Sequence, residues 1–309
     1  MIKTSVILVN FNGLEFLPNC LDALHQNISK DCEVIVVDNC STDESVSYMQ
    51  RHHQWIRLII SPTNLGFTGG NNLGALHALG EYLFLVNVDT VFKSGFSQLI
   101  SIADAQSDFG VLGCRLFYGN GSQQRTIGLK NTPTSLAMSW FPVPFVSQYF
   151  AQTAPKASSL YSQDLIDVAW VSGAALLTKK DIWDAIGGLD SDMFMYMEDM
   201  DYCNRVEAAG YKVLYTSRCL MLHFEGGGRE WIGERAVCNS VRSSLIYISK
   251  RHNKFTYLYF RALYSLILFV RSIAHFLLWL FRIDKLGLEK ASAFISGARI
   301  LLLPLQLHK

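Results

Sequence analysis

Four short apolar runs open the chain: residues 4–9 (Thr-Ser-Val-Ile-Leu-Val), 33–37 (Glu-Val-Ile-Val-Val), 57–60 (Arg-Leu-Ile-Ile) and 82–86 (Tyr-Leu-Phe-Leu-Val). Each gives way to polar or glycine-rich residues. Continuous, largely β-branched runs are what parallel strands covered on both faces require. Between them the apolar positions take a helical spacing. Leu14, Leu17, Leu21 and Leu24 predict a helix over 14–26. Ser41-Thr42-Asp43-Glu44 predicts one over 43–53 with Ser41 or Thr42 as its cap, and a glycine turn introduces a third over 69–80. Strand alternating with helix predicts an α/β sheet of the nucleotide-binding type, in which ligands sit at the carboxyl ends of the strands.

Periodicity fades between about 120 and 165, where Gly119, Gly121, Pro133, Pro142, Pro144 and Pro155 predict an irregular or partly helical insertion. It returns as a strand over 168–178, helices near 180–186 and 198–209, and a strand over 212–216. From Phe255 to Phe281 the residues are mostly Leu, Phe, Tyr, Ile and Trp, interrupted by Arg261, Arg271 and His275. No stretch free of Arg and Lys there approaches the roughly 18 residues that argue for a spanning helix. On a helical wheel Arg261, Tyr264, Ser265, Arg271, Ser272, His275 and Arg282 fall in an arc of about 120°, leaving a broad apolar face. The face formed by Leu263, Ile267, Val270, Ile273, Phe276, Leu277 and Phe281 then predicts a helix lying in a membrane interface, its basic residues at the headgroups. The alternative is a helix packed on the catalytic domain or on a second copy.

Composition narrows the partners. Twenty-seven basic against 26 acidic residues give a net charge of +1, so no overall field draws the protein to nucleic acid. The 7 cysteines, none in a Cys-x-x-Cys pair, suggest neither a zinc site nor a disulfide framework. They read as reduced thiols in a cytosolic protein, and the short apolar run after Lys3 does not read as a signal peptide.

Several strand ends carry chemistry. Asp38 closes the second strand, where its carboxylate can accept from a nucleobase or a ribose hydroxyl. The 64–72 segment (Asn-Leu-Gly-Phe-Thr-Gly-Gly-Asn-Asn) offers glycines that let backbone amides approach a diphosphate at a helix start. It is neither an ATPase P-loop nor a dinucleotide fingerprint. Asp89, following Asn87-Val88 after the fourth strand, suits a divalent cation that also binds phosphate oxygens, the alternative being a turn-forming Asx residue. Glu198, Asp199 and Asp201 open a helix whose dipole favours them. Asp201 and Arg205 are spaced to pair, whereas Glu198 and Asp199 follow an apolar approach that raises a carboxylate pKa toward general-base range. His223 ends a strand-like run ahead of a glycine loop (226–228) and Arg229.

Together, Val-Asn-Phe-Asn at 9–12, Val-Asp-Asn-Cys-Ser-Thr-Asp at 37–43, the 64–72 segment, Asn-Val-Asp at 87–89 and Glu-Asp-Met-Asp-Tyr-Cys-Asn-Arg at 198–205 resemble family 2 glycosyltransferases of the GT-A fold. The resemblance covers about residues 3–225. It is strongest to the rhamnosyltransferase-like branch of bacterial surface polysaccharide synthesis, which shares Asn87 where the wider family often has Asp. It implies an α/β GT-A catalytic domain over 1–228, with a nucleotide-binding half over 1–118 and an acceptor-side half over 119–228. A C-terminal helical, membrane-associating region follows over 229–309.

The resemblance also implies roles: Asn10, Asn12, Asp38, Gly69, Gly70, Asn72 and Asn87 at the nucleotide, Asp38 on the pyrimidine, and Asp89 with His223 on Mg²⁺ or Mn²⁺. Asp199 would be the base with Glu198 beside it, and Arg205 and Arg229 would serve the acceptor or diphosphate. The implied reaction is an inverting transfer of a sugar, rhamnose in that branch, from dTDP-rhamnose or a UDP-sugar to a polyprenyl-diphosphate-linked saccharide. It would take place peripherally on the cytoplasmic face of the bacterial inner membrane, with oligomeric state left open. A nucleotidyltransferase and a non-catalytic membrane-associated scaffold are the alternatives; the first usually carries a cation after its first strand, where Asn10-Phe11-Asn12-Gly13 has none.

Overall fold

The computed structural model describes residues 1–128, 130, 132–150, 159–224 and 233–305. The chain forms two compact units: Met1–Leu129, Thr153–Asp190 and Glu198–Gly228 make the first, and Lys130–Gln152, Ser191–Met197 and Arg229–Lys309 the second.

The strands of the first unit are β1 (Thr4–Asn10), β2 (Cys32–Asp38), β3 (Arg57–Ile60), β4 (Tyr82–Val86), β5 (Thr90–Ser94), β6 (Phe109–Phe117), β7 (Ile127–Gly128), β8 (Ile166–Asp167), β9 (Trp170–Val171), β10 (Ala175–Lys179) and β11 (Lys212–His223). Its helices are α1 (Leu17–Asn27), α2 (Ser45–His52), α3 (Gly66–Leu76) and α4 (Phe96–Ala105). The second unit contributes α5 (Pro133–Met138) and α6 (Pro144–Tyr149), after which α7 (Lys180–Ile186) and α8 (Glu198–Ala208) belong again to the first. The main sheet runs β3-β2-β1-β4-β10-β6-β11-β5, with β8 on β11. Its β3-β2-β1-β4 half is parallel, β10 runs against β4 and β6, and β5 runs against β11. Val6, Leu8, Val34, Val36, Phe84, Leu112 and Leu177 are fully buried in its core, as expected for strands covered on both faces.

The helices over 14–26 and 43–53 begin later than their apolar spacing predicts. At the second, Ser41 is spent elsewhere: its hydroxyl accepts from Asn10 Nδ2 (3.1 Å) and from the Asn12 N–H (2.9 Å). No side chain caps α2 at Glu44; the turn before it is held by Asn12 Oδ1, which accepts from the Thr42 and Asp43 N–H groups, and by Asp43, which accepts from Leu14 and Ser45. The third helix starts earlier, at Gly66, because Asn39 clamps its start: Asn39 Oδ1 accepts from Leu65 N–H (2.8 Å) and its Nδ2 donates to the Gly66 carbonyl (2.9 Å). Gly69 and Gly70 therefore lie inside α3 rather than in a preceding turn. The strand expected over 168–178 breaks into β9 and β10, and the one expected to end at 216 runs on to His223.

In the second unit, α9 (Gly233–Arg251), α10 (Lys254–Leu280) and α11 (Gly287–Leu302) follow one another, and α10 packs on α11, α9 and α5. At 27 residues α10 is about 40 Å long, and by length and composition it suffices to cross a membrane. The scattered arginines that argued against a spanning length are absorbed sideways. Arg261 Nε donates to the Leu301 carbonyl (2.8 Å), Arg271 Nη1 to the Trp140 carbonyl (2.8 Å) and Ser272 to the Ala291 carbonyl (2.8 Å). Tyr264 is fully buried and the His275 ring stacks on Phe294.

The polar arc thus faces the neighbouring helices, not the headgroups, and Ile267 of the expected apolar face is buried too. Main-chain carbonyls at Leu301 and Trp140 are satisfied by these guanidinium groups, which explains why the arc turns inward. The outward stripe is Leu266, Phe269, Ile273, Phe276, Leu277 and Leu280, all exposed at helical spacing.

Candidate active site

The ends of β1, β2 and β4 lie side by side at one end of the sheet, since β1 pairs in parallel with both others and Asn10 registers with Asp38. Both residues are buried, and Asn10 Nδ2 donates to Asp38 Oδ1 (2.9 Å) while the Ser41 N–H reaches Asp38 Oδ2 (3.0 Å). The Asn10 Oδ1 is a buried acceptor without a hydrogen-bond partner. Asn12, at φ 52°, is exposed and braces the 42–43 turn. The β-sheet thus brings Asn10, Asn12 and Asp38 into one cluster, as their motif spacing implied.

The glycine segment also answers a packing demand. A Cβ on Gly70 would stand 2.5 Å from Val9 Cγ1, and one on Gly69 would stand 2.7 Å from Leu65 Cβ, so these glycines let α3 pack tightly. Asn72 ties α3 to a loop, its Nδ2 donating to the Leu189 carbonyl (2.9 Å) and its Oδ1 accepting from the Leu189 N–H (3.0 Å). These contacts occupy both ends of the Asn72 amide.

After β4 the chain turns through Asn87-Val88-Asp89 into β5, which pairs with the end of β11 so that His223 registers with Thr90. Asp89 Oδ1 and His223 Nε2 are 3.3 Å apart, and Asn87 Nδ2 also lies 3.3 Å from that nitrogen. The other ring nitrogen, Nδ1, is 3.0 Å from Gln124 Oε1. A Gln124 carbonyl oxygen there orients the ring and leaves Nε2 facing Asp89. Gln124 is nearly fully buried, and nothing in the sequence around it marks it.

Two protein ligands at about 2.1 Å from one cation would stand about 3 Å apart at adjacent octahedral positions, so the Asp89–His223 pair fits a divalent cation. Among the described residues no group of three or more His, Cys, Asp or Glu side chains could hold a metal by itself. A set of two protein ligands completed by diphosphate oxygens is the usual arrangement for Mg²⁺. Asn87 Oδ1, buried and without a partner, is a further polar atom at the same turn. A cavity of about 450 Å³ opens beside Asp89, walled in part by the stacked rings of Phe16 and Phe224. It does not extend to Asp38 or Asp199.

Helix α8 supplies the carboxylates. Asp199 Oδ2 accepts from the Gly173 N–H (3.0 Å) and its Oδ1 from the Met200 N–H (2.7 Å). The next residue, Ala174, accepts from the Asn87 N–H (3.2 Å), so Gly173-Ala174 joins the turn bearing Asp89 to the helix bearing Asp199. Burial pushes the Asp199 carboxyl above its ordinary value, and the two backbone donors pull part of the way back. Glu198 is buried with Oε2 unpartnered, and burial, reinforced by Asp199, pushes it well above the carboxylate range.

Two arginines complete the expected set. Arg205 donates to Asp201 (2.8 Å) and to the Ile186 carbonyl (3.1 Å), the pairing that their spacing allowed. Its Nη2 is buried and without a hydrogen-bond partner. Arg229 and the glycine loop before it lie outside the described residues.

The family model for glycosyl transferase family 2 matches residues 5–166, more than half of the chain. An N-acetylglucosaminyl-diphospho-decaprenol L-rhamnosyltransferase of Mycobacterium tuberculosis is 25% identical over 264 residues, covering 80% of this chain and 84% of that one. The rhamnosyltransferase WbbL of Escherichia coli is 23% identical over 256 residues, covering 80% and 92%. Among solved structures, the mannosyltransferase PcManGT of Pyrobaculum calidifontis, in complex with GDP-Man and Mn²⁺, superposes with a TM-score of 0.59 at 15% identity, covering 97% of this chain and 87% of that one. That likeness gives the fold, GT-A. The match over residues 5–166 and the relatives of near-full length lead to one conclusion: the chain belongs to glycosyl transferase family 2.

Proposed function

We propose that the protein is an inverting, metal-dependent glycosyltransferase that moves a sugar, rhamnose, from a nucleoside-diphosphate donor to a lipid-linked saccharide in surface polysaccharide or O-antigen assembly. The observation that carries this reading is the join through Gly173-Ala174, which fixes the Asp199 carboxylate and the Asn87–Asp89 turn to the same two residues.

In this reading Asp38 and the orphaned Asn10 Oδ1 accept from the nucleobase and ribose. Asp89 and His223 hold a divalent cation, whose charge would neutralise the departing nucleoside diphosphate. Gln124 orients the His223 ring. Asp199, its proton affinity raised by burial and its oxygens aimed by two backbone N–H groups, takes the proton of the acceptor hydroxyl as that oxygen attacks the anomeric carbon. Burial, reinforced by Asp199, raises the proton affinity of Glu198 and so disfavours a second negative charge beside that base. One base and one direct displacement invert the anomeric configuration without a covalent intermediate.

The acceptor reading draws on the second unit. The outward apolar stripe of α10 suits the acyl boundary of a bilayer, where a polyprenyl-diphosphate-linked saccharide resides. All seven cysteines are free, in keeping with the cytoplasmic face. The test is transfer from dTDP-rhamnose, against UDP-sugars, to a polyprenyl-diphosphate-linked N-acetylglucosamine with Mn²⁺. Acceptor-dependent release of nucleoside diphosphate and a product of inverted anomeric configuration are expected. Release at the same rate without acceptor, or a retained configuration, contradicts the proposal.

A further inference from the structure

The second unit contains a cavity of about 1090 Å³ that no part of the chemistry above uses. This is just above the roughly 300–1,000 Å³ typical of ligand sites. Its polar wall is one stripe of α9, where Arg235, Asn239 and Arg242 follow at intervals of four and three and so share a helix face. Both arginines are exposed, and neither has an ion pair or hydrogen bond among the described residues. The acid nearby, Asp192, is already neutralised by Lys250 at 2.6 Å. The cavity's apolar lining is Ile246, one turn beyond Arg242 on the same α9 stripe, with Ile300 from the end of α11 and Leu303 just beyond.

Two unpaired guanidinium groups and branched aliphatic side chains lining one cavity match a molecule that is a strong anion at its head and a hydrocarbon behind it. Guanidinium groups bind phosphate oxygens in a bidentate manner, and two of them seven residues apart on one helix face can each take one phosphate. We infer that this cavity binds the diphosphate and first isoprene units of a polyprenyl diphosphate, with Arg235 and Arg242 on the phosphates and Ile246, Ile300 and Leu303 along the chain. The assignment deepens the proposed function and rests on its lipid-linked acceptor. The sequence runs directly from Asp192 and Phe194, which also line the cavity, into Glu198 and Asp199.

The experiment uses the full chain in detergent with undecaprenyl diphosphate as probe. Two quantities are read: affinity by titration, and the rate of alkylation at Cys238, a cavity-lining thiol, followed by peptide mass. The inference expects undecaprenyl diphosphate to bind and to slow alkylation at Cys238. It expects Arg235→Gln/Arg242→Gln to weaken binding by at least about tenfold, since charge-assisted contacts are lost. Leu303→Glu, on the apolar lining, should weaken it as well.

Nucleotide titration with Mn²⁺ and flotation on phosphatidylglycerol vesicles should stay unchanged in the double variant. Equal affinity in wild type and both variants, with no protection of Cys238, overturns the inference. So does equal protection by phosphatidylglycerol vesicles, with flotation lost in the arginine variant, because the cavity would then serve bulk anionic headgroups. If the wild type binds the lipid diphosphate but no nucleotide, the reading of the function falls and the cavity assignment stands.

Discussion

His223 Nε2 stands 3.3 Å from Asp89 Oδ1 while Gln124, 99 positions earlier in the chain, holds the opposite ring nitrogen at 3.0 Å. The pair is assembled by β5 running antiparallel to the end of β11, which sets His223 opposite Thr90. Gln124→Leu should therefore free the imidazole to rotate. We expect a loss of roughly 10–100-fold in Mn²⁺ affinity, measured in the presence of UDP or dTDP, with the folded structure retained. Gln124→Glu, which keeps an acceptor, should recover most of it. Equal loss in both variants would assign Gln124 to packing alone.

Asp199→Asn should keep nucleotide affinity and lower transfer by roughly 10²–10⁴-fold, the usual worth of a positioned base. Glu198→Gln should cost far less, because burial and the neighbouring Asp199 favour the protonated form of that side chain, which the amide mimics. A larger loss at Glu198 would move the base to that position.

Glu198 also makes a prediction about stability. Its folded pKa lies well above the ordinary value of 4.5, so between those two values the unfolded chain has lost a proton that the folded protein keeps. Stability then falls as pH rises from about 4.5 through the folded value. Glu198→Gln removes this contribution. Melting temperatures from pH 5 to 8 should decline less steeply in the variant than in the wild type, and parallel curves would contradict the assignment.

Gly70→Ala should lower unfolding stability by roughly 1–3 kcal/mol, since the new methyl group collides with Val9 on β1. Val9→Ala in the same chain should restore part of the loss, as measured by denaturant titration. Nucleotide affinity of the folded fraction should be unchanged. A selective loss of nucleotide binding with full stability would assign Gly70 to the phosphate site.

Charges placed on the outward stripe of α10, as in Phe269→Glu/Phe276→Glu, should abolish flotation with anionic liposomes without lowering thermal stability, because both side chains are exposed. Unfolding of this variant would mean that another protein surface covers the stripe.

The parallel half of the sheet was legible because strands buried on both faces are apolar throughout, as 33–37 and 82–86 are, and such runs are hard to mistake. The strand-end residues Asp38 and Asp89 could be located for the same reason: each is the first acid after such a run. Helix starts were less legible. They depend on side chains distant in sequence, with Asn39 clamping α3 and Asn12 bracing the turn before α2. The glycines of 64–72 were visible, but their packing role needs the position of Val9 on the adjacent strand. Gln124 carries no local pattern and is found only by where β11 ends. In α10 the periodicity correctly separated a polar from an apolar face. Which face turns inward was set by backbone carbonyls at Trp140 and Leu301 that no helical wheel contains.

The central claim is that Asp89 brings a divalent cation to a bound nucleoside diphosphate. Isothermal titration of UDP and dTDP, with and without Mn²⁺, into wild type and Asp89→Ala tests it most directly. The account predicts that Mn²⁺ tightens nucleotide binding by the wild type at least about tenfold and leaves Asp89→Ala at its metal-free affinity. The same gain from Mn²⁺ in both proteins would contradict it.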